Sequence, residues 1–220
     1  MSTAGPDPTR LVQRVNELRT ALAARPVDRL VENTGAEYHA VGVDESYFSL
    51  PFWRQEVQIS YPGFIARDAA DNRELPPFTQ AMLIYHFYTA DGAPLAGRWI
   101  SFSELPDGRF YNQAFQGYTG GELRRSIPGR ADFERSAGKL GGVSQATESI
   151  SQGALAYRFQ ALPRLPLLVA FWEGDEELPG SFQVLFDRRV RSRCDGALEH
   201  ARSAGGHGPV PQPMPLGMSP

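Results

Sequence analysis

The stretch 154–187, ALAYRFQALPRLPLLVAFWEGDEELPGSFQVLFD, decides the fold. It holds three apolar runs, 154–159, 165–172 and 182–186, bounded by Pro163, Pro166, Gly174, Pro179 and Asp187. Runs of five to eight apolar and aromatic residues between turn formers read as strands rather than helices. Their connections are too short for a crossover, so consecutive strands must run antiparallel, as a meander.

Upstream of these runs, 98–102 reads as a short strand and Leu105-Pro106-Asp107-Gly108 as a turn. The segments 110–127 and 131–140 read as short helices separated by glycines and Pro128. Segment 78–89 is aromatic enough for a strand, but the Pro76-Pro77 start, its length and the Ala90-Asp91-Gly92 ending assign it as a buried helix. Between 38 and 59, short apolar runs broken by Asp44-Glu45, Pro51 and Gln55-Glu56 predict two or three antiparallel strands, with one more edge strand near Phe64-Ile65. Leu11, Val15, Leu18 and Leu22 mark one stripe of an amphipathic helix, and Pro26 opens a second that stops near Gly35. A last helix is expected between 193 and 201.

The expected fold is α+β: a single domain over 10–202, with an antiparallel sheet and helices packed mainly on one face. Residues 1–9 and the Pro/Gly-rich tail 203–220 are expected to be disordered, the tail alternatively polyproline-like. With 220 residues, 41% hydrophobic and 11% aromatic, the chain has the composition of a globular protein. A formal charge of -3 gives no reason to expect nucleic acid. Neither a signal sequence nor an apolar run long enough to cross a bilayer is present, so a cytoplasmic location without membrane contact is expected. Cys194 alone excludes an internal disulfide and a protein-only cysteine cluster. Lys139 is the single lysine, and its neighbours offer neither an apolar pocket nor a second cation to activate it.

Two segments, GRWISFSELPDGRFYNQAFQGYTGGEL (97–123) and LPRLPLLVAFWEGDEELPGSFQVLFD (162–187), with AGKLGG (137–142) between them, resemble the bacterial and archaeal family catalogued as domain of unknown function 3786. The resemblance covers about 29–187. It implies no established activity. Some relatives carry an added iron–sulfur module, which implies cofactor-linked metabolism in anaerobes, and this chain has no such cysteine set. Relatives also continue past Leu-Phe-Asp with histidine and tyrosine, whereas 188–195 contains neither.

Several residue groups are candidates for chemistry. Glu173, Asp175, Glu176 and Glu177 follow an apolar strand and stand next to Trp172; such carboxylates bind a hard cation or share a proton, or else form a solvated turn held by Arg98 or Arg164. Arg98, Trp99, Ser101 and Glu104 offer an arginine for a carboxylate or phosphate and a ring for stacking, or else an internal Arg–Glu pair beside a core tryptophan. Tyr118 lies within Gly117-Tyr118-Thr119-Gly120-Gly121, which matches no phosphate-loop or dinucleotide fingerprint and either offers backbone amides to an anion ahead of Glu122-Leu123 or is a helix-breaking turn. His86 is a tetrapyrrole ligand, a proton carrier or a core histidine; none of His39, His86, His200 and His207 has metal-site spacing with another. Arg188, Arg189, Arg191 and Arg193 make a basic patch beside Cys194 without aromatic interleaving.

These features support three functional readings. The first is a small-molecule or cofactor-binding domain, with Tyr85, Phe87, Trp99, Tyr111, Tyr118 and Trp172 lining one cavity around Arg98, Glu104, Glu173, Asp175 and Glu176. The second is a metal-dependent or acid–base enzyme using the 173–177 carboxylates. The third is a non-catalytic adaptor whose tail, 203–220, docks a protein partner. The cofactor, if there is one, is not specified by any motif, and no metal site is predicted.

Overall fold

A computed structural model describes residues 8–42, 45–146, 153–175 and 177–191. The fold is α+β with antiparallel strands. The strands form two sheets rather than the expected one, and the chain divides into two compact units: Met1–Ala93 with Leu162–Arg164, and Pro94–Ala161 with Leu165–Pro220. The physical reason is visible in the apolar patterns. Strands around 48–59 alternate, as suits a sheet with one wet face, whereas 165–172 is apolar throughout and must be covered on both faces.

In the first unit, helices α1 (Pro8–Ala23) and α2 (Val27–Thr34) precede strands β1 (Glu37–Ala40), β2 (Ser46–Phe52), β3 (Gln55–Tyr61) and β4 (Ala66–Asp68), and helix α3 (Pro77–Thr89) follows. The four strands pair in sequence order. The register aligns Tyr38, Phe48, Ile59 and Ala66 across one face, with Leu50 and Val57 beside them. Phe87 of α3 meets that face, its ring 5.2 Å from Phe48 and 5.9 Å from Phe64. Leu18, Leu22 and Leu30 from α1 and α2 are likewise buried. The opposite face carries a polar row, Glu37–Ser49–Gln58–Arg67, and a second row, His39–Tyr47–Ser60.

Two details of this unit answer sequence expectations. α2 stops at Gly35, whose φ of 75° is left-handed and whose missing Cβ would sit 3.0 Å from that of Pro163. His86 is a core histidine, with Nε2 3.4 Å from the Thr34 carbonyl oxygen.

The second unit runs β5 (Trp99–Ser101), a 3-10 turn (Phe102–Glu104), α4 (Gly108–Tyr118), α5 (Gly120–Ser126), α6 (Arg130–Lys139), β6 (Val143–Gln145), β7 (Leu155–Leu162), β8 (Leu165–Trp172) and β9 (Ser181–Asp187). Its sheet order is β5-β9-β8-β7-β6. One face presents Ile100, Phe186, Leu167, Val184, Val169, Phe182 and Phe171. The helices lie on it: Phe115 of α4 packs on Phe186, and Phe133 of α6 meets Phe171, Phe182 and Tyr157 with ring centroids 5.3 to 5.9 Å apart. The other face holds Leu168, Ala170 and Leu185, clustered with Ala156 and flanked by Trp99 and Trp172.

Helix α1 begins at Pro8, inside the segment expected to be frayed, and the β6 strand is an addition to the expected elements. Expectations for Glu176, Arg193, Cys194, His200, His207, a helix over 193–201 and the tail 203–220 lie outside the described residues.

Candidate functional site

Two of the sequence-predicted site residues of the second unit, Glu104 and Asp175, accept backbone amides. The Ser101 amide donates to Glu104 Oε2 at 2.8 Å and the Ser101 hydroxyl at 2.9 Å, a capping box that closes the 3-10 turn. Those two bonds hold the Glu104 carboxyl below its ordinary range, with the charges of Arg98 and Arg191 adding to them. Glu104 is thus held by a local cap, and the exposed Arg98 acts on it through charge. Asp175 behaves alike: its Oδ1 accepts the amides of Glu177 at 2.9 Å and Leu178 at 2.7 Å, which depresses its pKa. Among the described residues of this turn, backbone amides hold Asp175, and Arg164 donates to the Gly92 carbonyl. The turn is also sterically tight, since a Cβ on Gly174 would lie 2.4 Å from the Gly180 nitrogen. Glu173 and Asp175 face solvent, and among the described residues no three acidic, histidine or cysteine side chains cluster as a metal would need.

The aromatic set divides between the two units. Tyr85 and Phe87 belong to α3 of the first unit, with Phe87 fully buried. Tyr118 is 55% exposed at the end of α4, where the glycine-rich stretch serves as the expected helix break. Trp99 and Trp172 do share one cluster, yet they lie opposite Asp187 and Ser181, at the two ends of β9.

Asp187, the last residue of the Leu-Phe-Asp motif, is 1% exposed. It accepts the amides of Ala96 at 3.0 Å, Gly97 at 2.8 Å and Arg189 at 2.9 Å. A carboxylate so used ties the segment entering β5 to the end of β9. Its role is structural.

A candidate that the sequence does not show lies in the first unit, where the second half of α1 faces the β3–β4 turn. An open, shallow surface groove of about 420 Å³ is lined there by Asn16, Arg19, Thr20, Ala23, Pro62 and Gly63. The turn is set by Ser60, whose carbonyl accepts the Phe64 amide at 2.7 Å and whose hydroxyl accepts the Ile65 amide at 3.0 Å. Phe64 is held at a φ of 53°, a left-handed conformation costly for a residue with a Cβ, by burial of its ring against Phe48 and Phe87. Its carbonyl thereby receives Arg19 Nε at 3.1 Å.

Arg19 also donates to Asn16 Oδ1 at 3.2 Å and Gln80 Oε1 at 2.6 Å. All three acceptors are neutral. The Glu74 carboxylate acts on Arg19 through its charge, without a direct hydrogen bond, and Gln80 Nε2 donates to Glu74 Oε1 at 2.7 Å. Burial pulls the guanidinium below its ordinary pKa, and the Glu74 charge only opposes that pull. A guanidinium has five N–H groups, and three are used here. Asn16 accepts on its oxygen, which leaves its amide N–H₂ as a further donor at the same groove. A neighbouring hollow of about 450 Å³ is lined by Arg73, Glu74, Leu75, Pro76 and Pro77.

The polar sheet face offers a different constellation. His39 Nε2 lies 2.8 Å from Ser49 Oγ, and the His39 ring stacks on Tyr47 at 4.8 Å. A serine bonded to a histidine suggests a nucleophile and its base. Two features argue against it. Ser49 sits in a strand paired on both sides, which commits the local backbone amides to the ladders and offers no oxyanion donor, and Glu37 approaches the same Nε2, at 3.9 Å, rather than orienting the ring from Nδ1.

No curated protein matches the chain, and no solved structure matches it. One family model does, over residues 27–195, which takes in the Gly174 turn, the Glu104 cap and the Asp187 clamp. By that match the chain belongs to the family described as domain of unknown function (DUF3786).

Proposed function

We propose that this protein is a small-molecule-binding domain and that the groove at Arg19 takes an anionic group of its ligand. The observation that carries this reading is a half-buried guanidinium whose hydrogen-bond partners are all neutral. A charge withdrawn from water is stabilised most by an opposite charge, and a carboxylate or phosphoryl group would supply it. The remaining Arg19 N–H groups and the Asn16 amide are the donors, while Ala23, Pro62 and Gly63 give the groove an apolar rim. The sequence-based set around Trp99 and Trp172 supports a ligand less well, because Glu104 and Asp175 are engaged by backbone amides.

Titration of ¹⁵N-labelled protein with inorganic phosphate, and separately with succinate, tests this by the shift of the Arg19 Nε–H signal. Saturable shifts at Arg19, Asn16 and Gly63 are expected. Loss of a charge-assisted hydrogen bond removes about 1.5–3 kcal/mol, so Arg19→Gln should weaken binding roughly ten- to hundredfold, with partial recovery in Arg19→Lys. Shifts that do not saturate, or that are identical in Arg19→Gln, overturn the reading.

A further inference from the structure

Gln80, near the start of α3, is a polar residue among apolar ones: it is 5% exposed, and Ala81, Leu83 and Ile84 beside it are buried too. The helix start places it there. Pro76 and Pro77 open α3, and the Gln80 amide donates to the Pro76 carbonyl at 3.0 Å. Just before the helix, 73–75 runs along the outer edge of β4. The Asp68 amide donates to the Arg73 carbonyl at 2.9 Å, and the Leu75 amide to the Ala66 carbonyl at 3.0 Å. The Gln80 carboxamide is thereby set between that segment and Arg19 of α1.

All four hydrogen-bonding positions of that carboxamide are filled. Oε1 accepts from Arg19 Nη2 at 2.6 Å and from the Ala66 amide at 3.5 Å; Nε2 donates to Glu74 Oε1 at 2.7 Å and to the Leu75 carbonyl at 3.1 Å. The partners fix which end is which. A guanidinium and a backbone amide can only donate, and a carboxylate and a carbonyl can only accept, so a carboxamide turned end for end would lose every one of these bonds. A cation is held at one end of a neutral group and an anion at the other, each by a charge-assisted bond.

Other side chains at this position would act differently. A glutamate would give Arg19 a direct counter-ion and set its second oxygen against the Glu74 carboxylate. A leucine would leave Arg19 Nη2 and the Ala66 amide without their acceptor. Glutamine anchors Nη2 and leaves the charge of Arg19 uncancelled. With Nε on the Phe64 carbonyl and Nη1 on Asn16 Oδ1, the guanidinium is pinned at three points, and one N–H remains on each of Nη1 and Nη2. A pinned donor loses little freedom when an anion arrives. We propose that Gln80 is the positioning residue of the Arg19 site: its carboxamide fixes the guanidinium from within and keeps the Glu74 carboxylate from pairing with it, so that the charge is presented to an anion in the groove. This rests on the reading of that groove as an anion site, and names the residue that sets its preference for anions.

Exchanging the two side chains, Gln80→Glu with Glu74→Gln, tests this, because composition and net charge stay the same and a carboxamide still faces a carboxylate. The charge alone moves, from the far side of the amide to the guanidinium. Titrated with inorganic phosphate, the ¹⁵N-labelled exchanged variant should bind roughly tenfold or more weakly than the parent, although Arg19 is intact. Glu74→Gln alone keeps an acceptor for Gln80 and removes the opposing charge, so it should bind at least as tightly as the parent. Equal affinity in parent and exchanged variant overturns the proposal, as does equal weakening in Glu74→Gln alone. Gln80→Met keeps the volume and removes the anchor. It should speed exchange of the Arg19 Nε–H several-fold, although the Phe64 carbonyl that Nε meets is untouched; unchanged exchange there also overturns the proposal.

A further readout needs no anion. Arg19→Gln strands a buried carboxylate in the exchanged variant but not in the parent, so it should lower the urea midpoint further in the exchanged background. Equal lowering in the two backgrounds overturns the role of Gln80 whatever the binding data show. Greater lowering in the exchanged background, with no saturable phosphate shift in the parent, overturns the anion reading of the groove instead.

Discussion

At the scale of single residues, the carboxylates that look chemical in the sequence are mostly partners of backbone amides. Asp187 is the strongest case, because it is buried and accepts three of them. Asp187→Ala should lower unfolding stability by about 2–3 kcal/mol, a value that allows for water reaching the exposed Ala96 and Gly97 amides. Asp187→Asn should cost nearly as much, since half of its amide presents donors to donors. The check is a urea midpoint shifted at unchanged slope, with faster amide exchange at Ala96 and Gly97. In the sequence Asp187 stood out only as the end of a motif. Its three donors sit as far as 91 positions away, which no local pattern reveals. Arg19 was harder still to see. A lone arginine on an amphipathic helix reads as a solvated cation, and its partners Phe64 and Gln80 are 45 and 61 positions distant.

At the scale of elements, what was legible was whatever one segment's own composition dictates. β8 was readable because its apolar run leaves no wet face, and α3 because Pro76 and Pro77 set a helix start. β6 was not, because its three residues are a strand only through pairing with Tyr157 and its neighbours on β7. The start of α4 shows how an element boundary can be sterically fixed. A Cβ on Gly108 would lie 1.9 Å from the Phe102 carbonyl oxygen, whereas one on Gly138, within α6, meets nothing within 4 Å. Gly108→Ala should therefore destabilise by more than about 2 kcal/mol, by displacing α4 from the 3-10 turn. Gly138→Ala should stabilise by up to about 1 kcal/mol through helix propensity alone. Thermal melts of the two variants compared with the parent give opposite signs if the two glycines differ as described.

At the scale of the whole molecule, the α+β class follows from the sequence, but the division into two units does not. The sequence offers no linker between them; instead the chain passes from one unit to the other at Ala93, Ala161 and Arg164. The three residues 162–164, at the tip of the β7–β8 hairpin, belong to the first unit. Pro163 fits against Gly35, and Arg164, at a φ of 60°, donates to the Gly92 carbonyl. Arg164→Ala should accelerate amide exchange in α2 and around Gly92 while leaving β8 unchanged. Equal acceleration in α2 and β8 would mean that the tip acts as part of its own hairpin instead.

That three-residue tip also imposes an order of events on the nascent chain. The helices and strands of the first unit leave the ribosome with residue 93, yet the residues that close against Gly35 and Gly92 follow about seventy positions later. At ~5–20 residues per second the wait is roughly 4–14 s. During that interval the amino-terminal unit is an unfinished structure, and its last packing step belongs to the synthesis of the second.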